Sequence, residues 1–338
     1  MEIGLPDEKG RLAILNIHTK KMKDNNVLGD DVDLGELAKI TKNYTGADIE
    51  SLVKLACSNA LSQGGFQIEK LDLNKDNKVE MKHFIDAISE IQPMFGISSS
   101  ELENSVQFGM INYGTNYEIL ANKITSLFTQ IKNTSTVSLL SVLLEGDSGS
   151  GKTALAAYQA LHSGFPYVKI ISPDTLVKYM EGGKYSAIST IFEDAYKSPS
   201  SIIILDAIEK LIEYIKIGPR FSNLILQTIL VYIKKLPPKK GKKLLIIGTT
   251  SMASYLADLG IVGAFDKVIK VPNLDKKEIM NVLDNYECED SEKERIADLV
   301  ETSPIKQLLF LIDRALQKNS KLLYDNFELE YKDYIQYS

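Results

Sequence analysis

The run Gly146-Asp147-Ser148-Gly149-Ser150-Gly151-Lys152-Thr153 has the residue types and spacing to hold a chain of phosphates. It fits G-x-x-x-x-G-K-[ST], in which glycines let successive backbone N–H groups turn inward around an anion and the helix that follows adds the partial positive charge of its N-terminus. Asp147, Ser148, Gly149, Ser150, Gly151 and the next residue, Ala154, are expected to line the phosphates. Lys152 is expected to reach the β- and γ-phosphates and Thr153 to hold Mg²⁺. Further on, Ser201-Ile202-Ile203-Ile204-Leu205-Asp206 is an apolar run ending in a carboxylate, and Asp206 is expected to hold the water shell of the same ion. ATPases of this design place a second carboxylate directly after the first, where it polarises the attacking water. Here that position is Ala207, and Glu209, two residues on, is expected to face elsewhere. Losing a general base costs roughly 10²–10⁴-fold in rate. The residues therefore suit holding ATP better than cleaving it, and none is assigned a catalytic role.

Such a loop needs a strand before it and a helix after it. Val137–Leu144 is an apolar run of strand length, and Ala154-Leu155-Ala156-Ala157 opens a pattern of strong helix formers. Further strands are expected at Phe165–Ile171, Ser201–Asp206, Lys243–Thr250 and Lys267–Val271, with helices at Tyr117–Ile131, Ser186–Lys197 and Asn223–Lys235. That alternation predicts a parallel α/β sheet with helices on both faces. Residues 1–63 read as three helices, opened by Pro6-Asp7-Glu8-Lys9, Asp31–Leu34 and Ala47–Glu50, in a small α-unit that ends near Pro93. From Asp275 the pattern is helical again. The expected layout is a helical unit over 1–96, a linker over 97–106, an α/β core over 107–272 and a second helical unit over 273–338.

Composition bounds the alternatives. The chain has 338 residues, 44% of them hydrophobic and 25% charged, as in ordinary globular proteins. A net charge of −6 argues against general nucleic-acid affinity. Two distant cysteines, Cys57 and Cys288, argue against a disulfide framework and suit a reducing compartment. No apolar run reaches ~18 residues, and residues 1–20 lack the apolar block of a signal peptide.

Other stretches carry competing readings. Asp72–Glu80 resembles a calcium loop but has Asn77 where Gly is wanted and His83 where the bidentate Glu is wanted, so a polar turn is the expectation. Thr249, Thr250 and Ser251 end a strand beside the loop strand; they suit either sensing of a γ-phosphate or capping. Lys306, behind Pro304, either reaches the phosphates from the last helical unit or is solvated. Lys234, Lys235, Lys239, Lys240, Lys242 and Lys243 surround Pro237-Pro238; a solvated loop, or a cationic edge meeting a neighbour's triphosphate, is preferred to nucleic-acid binding. Arg220 is the one arginine between Gly146 and Val271 and the other candidate for a trans-acting cation. A GTPase would need a downstream Asn-Lys-x-Asp, which is absent. A clamp loader or helicase would want a basic groove and a working acid.

With these residues in view, the chain resembles the AAA+ superfamily, and within it the N-ethylmaleimide-sensitive fusion ATPases of vesicle traffic. Leu5–Arg11 and Thr41–Asp48 resemble the lid of that family's first ATPase domain. Residues 217–224, Ile-Gly-Pro-Arg-Phe-Ser-Asn-Leu, and Leu245–Ser251 resemble its second ATPase domain. The resemblance implies an AAA+ phosphate-loop sheet with its own helical lid and an additional N-terminal lid. It also implies that an adaptor-binding domain and the first catalytic core lie outside this sequence. For the site it implies that Ile111, Asn112, Tyr113 and Gly114 hold the adenine, that Lys306 is the lid's phosphate sensor, and that Lys234 and Lys243 approach a neighbouring subunit's phosphates. The family's full protein is a cytoplasmic homohexamer of two stacked rings, peripheral to membranes. Its first ring pulls SNARE complexes apart through SNAP adaptors, and its second binds ATP tightly and holds the hexamer together. An active ATPase remodelling another complex is the alternative.

Overall fold

The apolar runs on either side of the glycine-rich loop become neighbours in one sheet. A computed structural model describes residues 5–41, 43–63, 78–91, 99–106, 109–134, 136–215, 220–318 and 321–337. The chain divides into two units, Met1–Ile97 and Ser98–Ser338.

The first unit is helical: α1 (Glu8–Asp24), α2 (Leu34–Ile40), α3 (Gly46–Gln63) and α4 (Met81–Glu90). Asp7 caps α1 by accepting from Gly10 N–H, and Asp33 caps α2 by accepting from Gly35 and Glu36 N–H. Leu15, Leu37, Ile49, Leu52, Ala56 and Phe84 form the centre of its core. Arg11 is buried, and among the described residues its partners are carbonyls: Nε and Nη2 donate to Ala38 O near the end of α2, and Nη1 donates to Pro6 O. Most of the calcium-like stretch, residues 72–77, lies outside the described residues, as do Pro93 and residues 217–219 of the run that carries the family resemblance. His83, at the position such a loop needs for its last carboxylate, is buried as part of a capping box, its Nδ1 accepting from Glu80 N–H.

The second unit runs α5 (Ser99–Asn104), α6 (Thr115–Asn133), β1 (Leu139–Glu145), α7 (Lys152–Leu161), β2 (Tyr167–Ile171), α8 (Pro173–Leu176), α9 (Glu181–Lys197), β3 (Ser200–Leu205), α10 (Ile208–Leu211), α11 (Asn223–Lys234), β4 (Lys243–Thr250), α12 (Ala253–Asp258) and β5 (Lys267–Lys270). It ends in α13 (Lys276–Leu283), α14 (Asp290–Val300), α15 (Ile305–Lys318) and α16 (Tyr324–Tyr337). The five strands are all parallel, in the order β2-β3-β4-β1-β5. The central strands are continuous apolar runs because helices cover both faces, while β5 is short, charged and exposed at the edge. The stretch expected to be a linker departs from expectation. Ser99–Asn104 is helical and packs on α7 and β2, with Leu102 fully buried. One buried apolar side chain among polar ones is too weak a periodic signal to announce such a helix.

The last four helices surround a separate apolar cluster that includes Ile279, Leu283, Ile296, Leu308, Ile312 and Phe327. Tyr113 inserts into that cluster. Leu274 and Ser303 exchange backbone hydrogen bonds, tying the entry of α13 to the start of α15.

Candidate functional site

Both sequence signatures arrive at the carboxyl ends of parallel strands, where an open α/β sheet presents its ligands. β1 delivers the glycine-rich loop, whose Gly151 is the N-cap of α7. β3 delivers Asp206, and β4, between them, delivers Thr249, Thr250 and Ser251. A cavity of ≈ 540 Å³ opens there, within the range of small-ligand sites. Ser148, Gly149, Ser150, Gly151, Lys152, Thr153, Ala154, Asp206 and Lys306 all line it, as do Ile111 and Tyr113.

The loop is held as a cradle. Lys152 is 7% exposed, and its ammonium donates to Gly146 O (2.9 Å), Asp147 O (2.6 Å) and Ser150 Oγ (3.3 Å). Burial pushes the Lys152 ammonium below the ordinary lysine range; the carboxylates of Glu209, Asp147 and Asp206 oppose that shift. An anionic ligand in the loop would relieve the same cost by restoring a counter-charge. Gly149 has φ +83°, a left-handed conformation that side chains disfavour, and its carbonyl accepts from Lys306 N–H (3.0 Å). The start of α15 therefore sits directly on the loop.

Thr153 Oγ1 donates to Asp206 Oδ1, which also accepts from Thr249 Oγ1 (2.8 Å). One hydroxyl and one carboxylate in contact form a hard oxygen donor set of the kind that Mg²⁺ takes when phosphate oxygens and waters complete its shell. The residues present fit that ion, and when bound it would neutralise phosphate charge. Among the described residues no group of three or more His, Cys, Asp or Glu could hold a metal on its own.

Several expected residues lie elsewhere. Asp147 is turned out of the cavity, its carboxylate accepting from Asn273 Nδ2 (2.8 Å) in the segment that enters α13. Asn112 is exposed, its Oδ1 closing a turn on Gly114 N–H (2.9 Å). Gly114 caps α6 beneath Asn281, whose Nδ2 donates to Tyr113 O (3.0 Å). Asn112 and Gly114 thus shape the Ile111–Gly114 segment without lining the cavity. Lys234 and Lys243 do not line it either. Lys243 opens β4, at the opposite end of the strand from Thr250, and its ammonium donates to Lys132 O (2.7 Å) and Thr134 O (2.9 Å) at the end of α6. Lys242 likewise donates to Lys197 O at the end of α9. Arg220 is exposed, away from the cavity.

Glu209 corrects the expectation most. Its carboxylate does not face away. It is 5% exposed and lines the cavity, accepting from Thr250 Oγ1 (2.8 Å), Ser251 Oγ (2.7 Å) and Ser251 N–H (3.2 Å). The cause is local. Ala207 adopts a left-handed conformation (φ 48°, ψ 65°), so α10 starts at once and its first turn folds Glu209 back over the end of β4. Sequence reading also missed Glu101, Asn104, Ser172, Asp174 and Thr175 on the cavity wall. Ser172 and Thr175 form a capping box just after β2, a signal that was present in the sequence.

This arrangement defines a phosphate-loop nucleotide-binding module, an open parallel sheet with a helical lid mounted on its loop. Residues 142–273 match the ATPase family associated with various cellular activities (AAA), and residues 31–75 match the AAA+ lid domain. Similar proteins include the vesicle-fusing ATPase of Arabidopsis thaliana, 46% identical over 94% of this chain and 43% of that protein. The vesicle-fusing ATPase of Dictyostelium discoideum is 42% identical over 99% and 46%. The vesicular-fusion protein SEC18 of Saccharomyces cerevisiae is 43% identical over 83% and 38%. The chain spans less than half the length of these relatives. It belongs to the AAA family of ATPases. No helix among the described residues is long and apolar enough to cross a membrane.

Proposed function

We propose that the second unit binds MgATP as a structural ligand, with little or no hydrolysis, and that the bound triphosphate helps hold a homohexamer together. The observation that carries this reading is Ala207, which follows Asp206 at a site otherwise equipped with loop, lysine, threonine and carboxylate. Lys152 and the loop N–H groups would hold the phosphates. Thr153 and Asp206 would hold Mg²⁺, and Ile111 and Tyr113 would meet the base. Lys306 would reach a terminal phosphate from the lid. At free ATP ~1,000-fold above its dissociation constant, linkage stabilises the bound form by about 4 kcal/mol per site.

The similarity to vesicle-fusing ATPases supports a place in a cytoplasmic machine that disassembles SNARE complexes through SNAP adaptors, contacts that would lie outside this chain. Lys234, Lys243 and Arg220 remain candidates for meeting a neighbour's phosphates, although Lys243 would first have to release the end of α6. Mass spectrometry of nucleotide retained on the purified chain, with size exclusion with and without ATP, tests the proposal. Retained ATP and an ATP-dependent oligomer are expected. Robust phosphate release instead would favour an active ATPase that remodels another complex.

A further inference from the structure

Every hydroxyl at the carboxyl end of β4 gives its proton to a carboxylate. Thr249 Oγ1 donates to Asp206 Oδ1 and accepts from Ala207 N–H (both 2.8 Å). Thr250 Oγ1 donates to Glu209 Oε2 (2.8 Å) and accepts from Met252 N–H (3.0 Å). Ser251 Oγ donates to Glu209 Oε1 (2.7 Å). A hydroxyl has one proton. Thr250, itself fully buried, and Ser251 therefore have no proton to offer whatever occupies the cavity. Glu209 compounds this, because it brings a buried negative charge to the same wall.

We propose that Glu209 is a positioning residue that withholds the Thr250 and Ser251 protons from the terminal phosphate of a bound triphosphate, and so lowers the site's preference for a triphosphate over a diphosphate. The inference rests on the nucleotide reading above. It makes Glu209 a lock on the strand end rather than a substitute for the carboxylate that Ala207 lacks. A carboxylate already accepting three hydrogen bonds has little capacity left for ordering a water. The γ-phosphate is the one group that distinguishes ATP from ADP, so the lock should register in the ratio of the two affinities, not in either alone.

The test is calorimetric titration of the full chain with MgADP and with the slowly hydrolysed β,γ-imido analogue of ATP. Glu209→Ala removes the charge and frees both hydroxyls. A unit charge on the wall of a partly screened site changes the affinity for a nearby phosphate roughly tenfold. The triphosphate-to-diphosphate affinity ratio is therefore expected to rise about tenfold or more. Adding Thr250→Val to that variant should take back part of the gain, because a freed hydroxyl is then lost. Glu209→Gln keeps the volume and supplies the charge comparison should the alanine chain not fold. A structural role alone would weaken both ligands together, so an unchanged or lower ratio in either Glu209 variant overturns the proposal. So does a Glu209→Ala gain that Thr250→Val leaves intact. Failure of the native chain to bind either nucleotide sinks the underlying reading and takes the inference with it.

Discussion

Replacing Gly146 by alanine separates two reasons for the first glycine of the loop. The usual one is access, since a bare backbone can approach a phosphate. The structure adds a second. A Cβ built on Gly146 would sit 2.2 Å from Val271 O, 3.1 Å from Ser150 Oγ and 3.3 Å from Val271 C. Non-bonded atoms settle at about 3.5–4.0 Å, so the backbone carbonyl would have to retreat by more than ~1 Å. Val271 N–H donates to Glu145 O (2.7 Å), at the end of the β1–β5 ladder, and moving the residue strains that bond. Overpacking costs about 1–3 kcal/mol and a weakened hydrogen bond about 0.5–1.5 kcal/mol, giving roughly 2–4 kcal/mol together. For a unit of this size each kcal/mol lowers the melting temperature by roughly 2–4 °C, so a fall of about 4–16 °C is expected. Calorimetry without nucleotide measures it, and hydrogen exchange should show faster exchange at Val271. Gly149→Ala is the control: its added methyl meets nothing nearer than 3.4 Å, leaving only the left-handed penalty of about 1–2 kcal/mol. If Gly146→Ala melts within ~1 °C of the native chain and protects Val271 as well, while losing only nucleotide affinity, the packing argument is wrong.

Further outcomes follow from the same geometry. Ala207→Asp places a carboxylate directly after Asp206 in a left-handed conformation that Asp tolerates, and should raise ATP turnover by about 10²-fold in a single-turnover phosphate assay; no gain would show that turnover is limited elsewhere. Arg11→Met keeps much of the packing but leaves Ala38 O without its guanidinium, and should cost the first unit about 1.5–3 kcal/mol in urea unfolding, with a loss below ~0.5 kcal/mol refuting the role. Burial, with help from Glu278 and Tyr117, pushes the Tyr113 hydroxyl up to about 12, and burial also raises Tyr167 and Tyr196. A folded value above the unfolded 10.0 means that the folded chain keeps protons the unfolded chain releases, so this stability is whole below pH ~10 and declines as pH rises through the folded values. For Tyr113 the loss reaches at most about 3 kcal/mol, and Tyr113→Phe should remove that share from an alkaline unfolding series.

What could be read from the sequence was what the chain keeps contiguous. The loop is a continuous run, and Asp206 ends an apolar strand whose burial on both faces leaves no polar alternation to confuse it. Thr250 could be set beside the loop because parallel sheets of this class order their strands predictably, and β4 does pair with β1. What could not be read depends on one backbone conformation or on partners distant in sequence. Glu209 reaches the cavity only because Ala207 is left-handed, a state alanine seldom adopts and no pattern announces. Asp147 leaves the phosphates for Asn273, 126 residues away, and Lys243 is taken by α6, 109 and 111 residues away. In each case a side chain assigned to a ligand by motif or by resemblance had a neighbour, invisible in the linear sequence, that satisfied it first.

The partners of the loop itself have a common location. Asn273 holds Asp147, Val271 presses on Gly146, and Lys306 N–H is bound to Gly149 O, so both segments that carry the lid are fastened to the phosphate loop itself. The Leu274–Ser303 pairing then joins the two segments to each other. A loop fastened in this way cannot open around an anion without moving α13 and α15, and the lid cannot swing without pulling on the loop carbonyls. Tyr113 extends the coupling to the other end of the cavity, because its ring lies in the lid's apolar cluster while its carbonyl is held by Asn281 of α13. The two ends of the cavity and the lid are therefore joined by one set of contacts, of which Lys306 N–H to Gly149 O and the Leu274–Ser303 pairing are purely backbone. On the proposed reading, gripping a nucleotide and setting the lid's posture would be one event, and an intact ligand would organise the unit without being consumed.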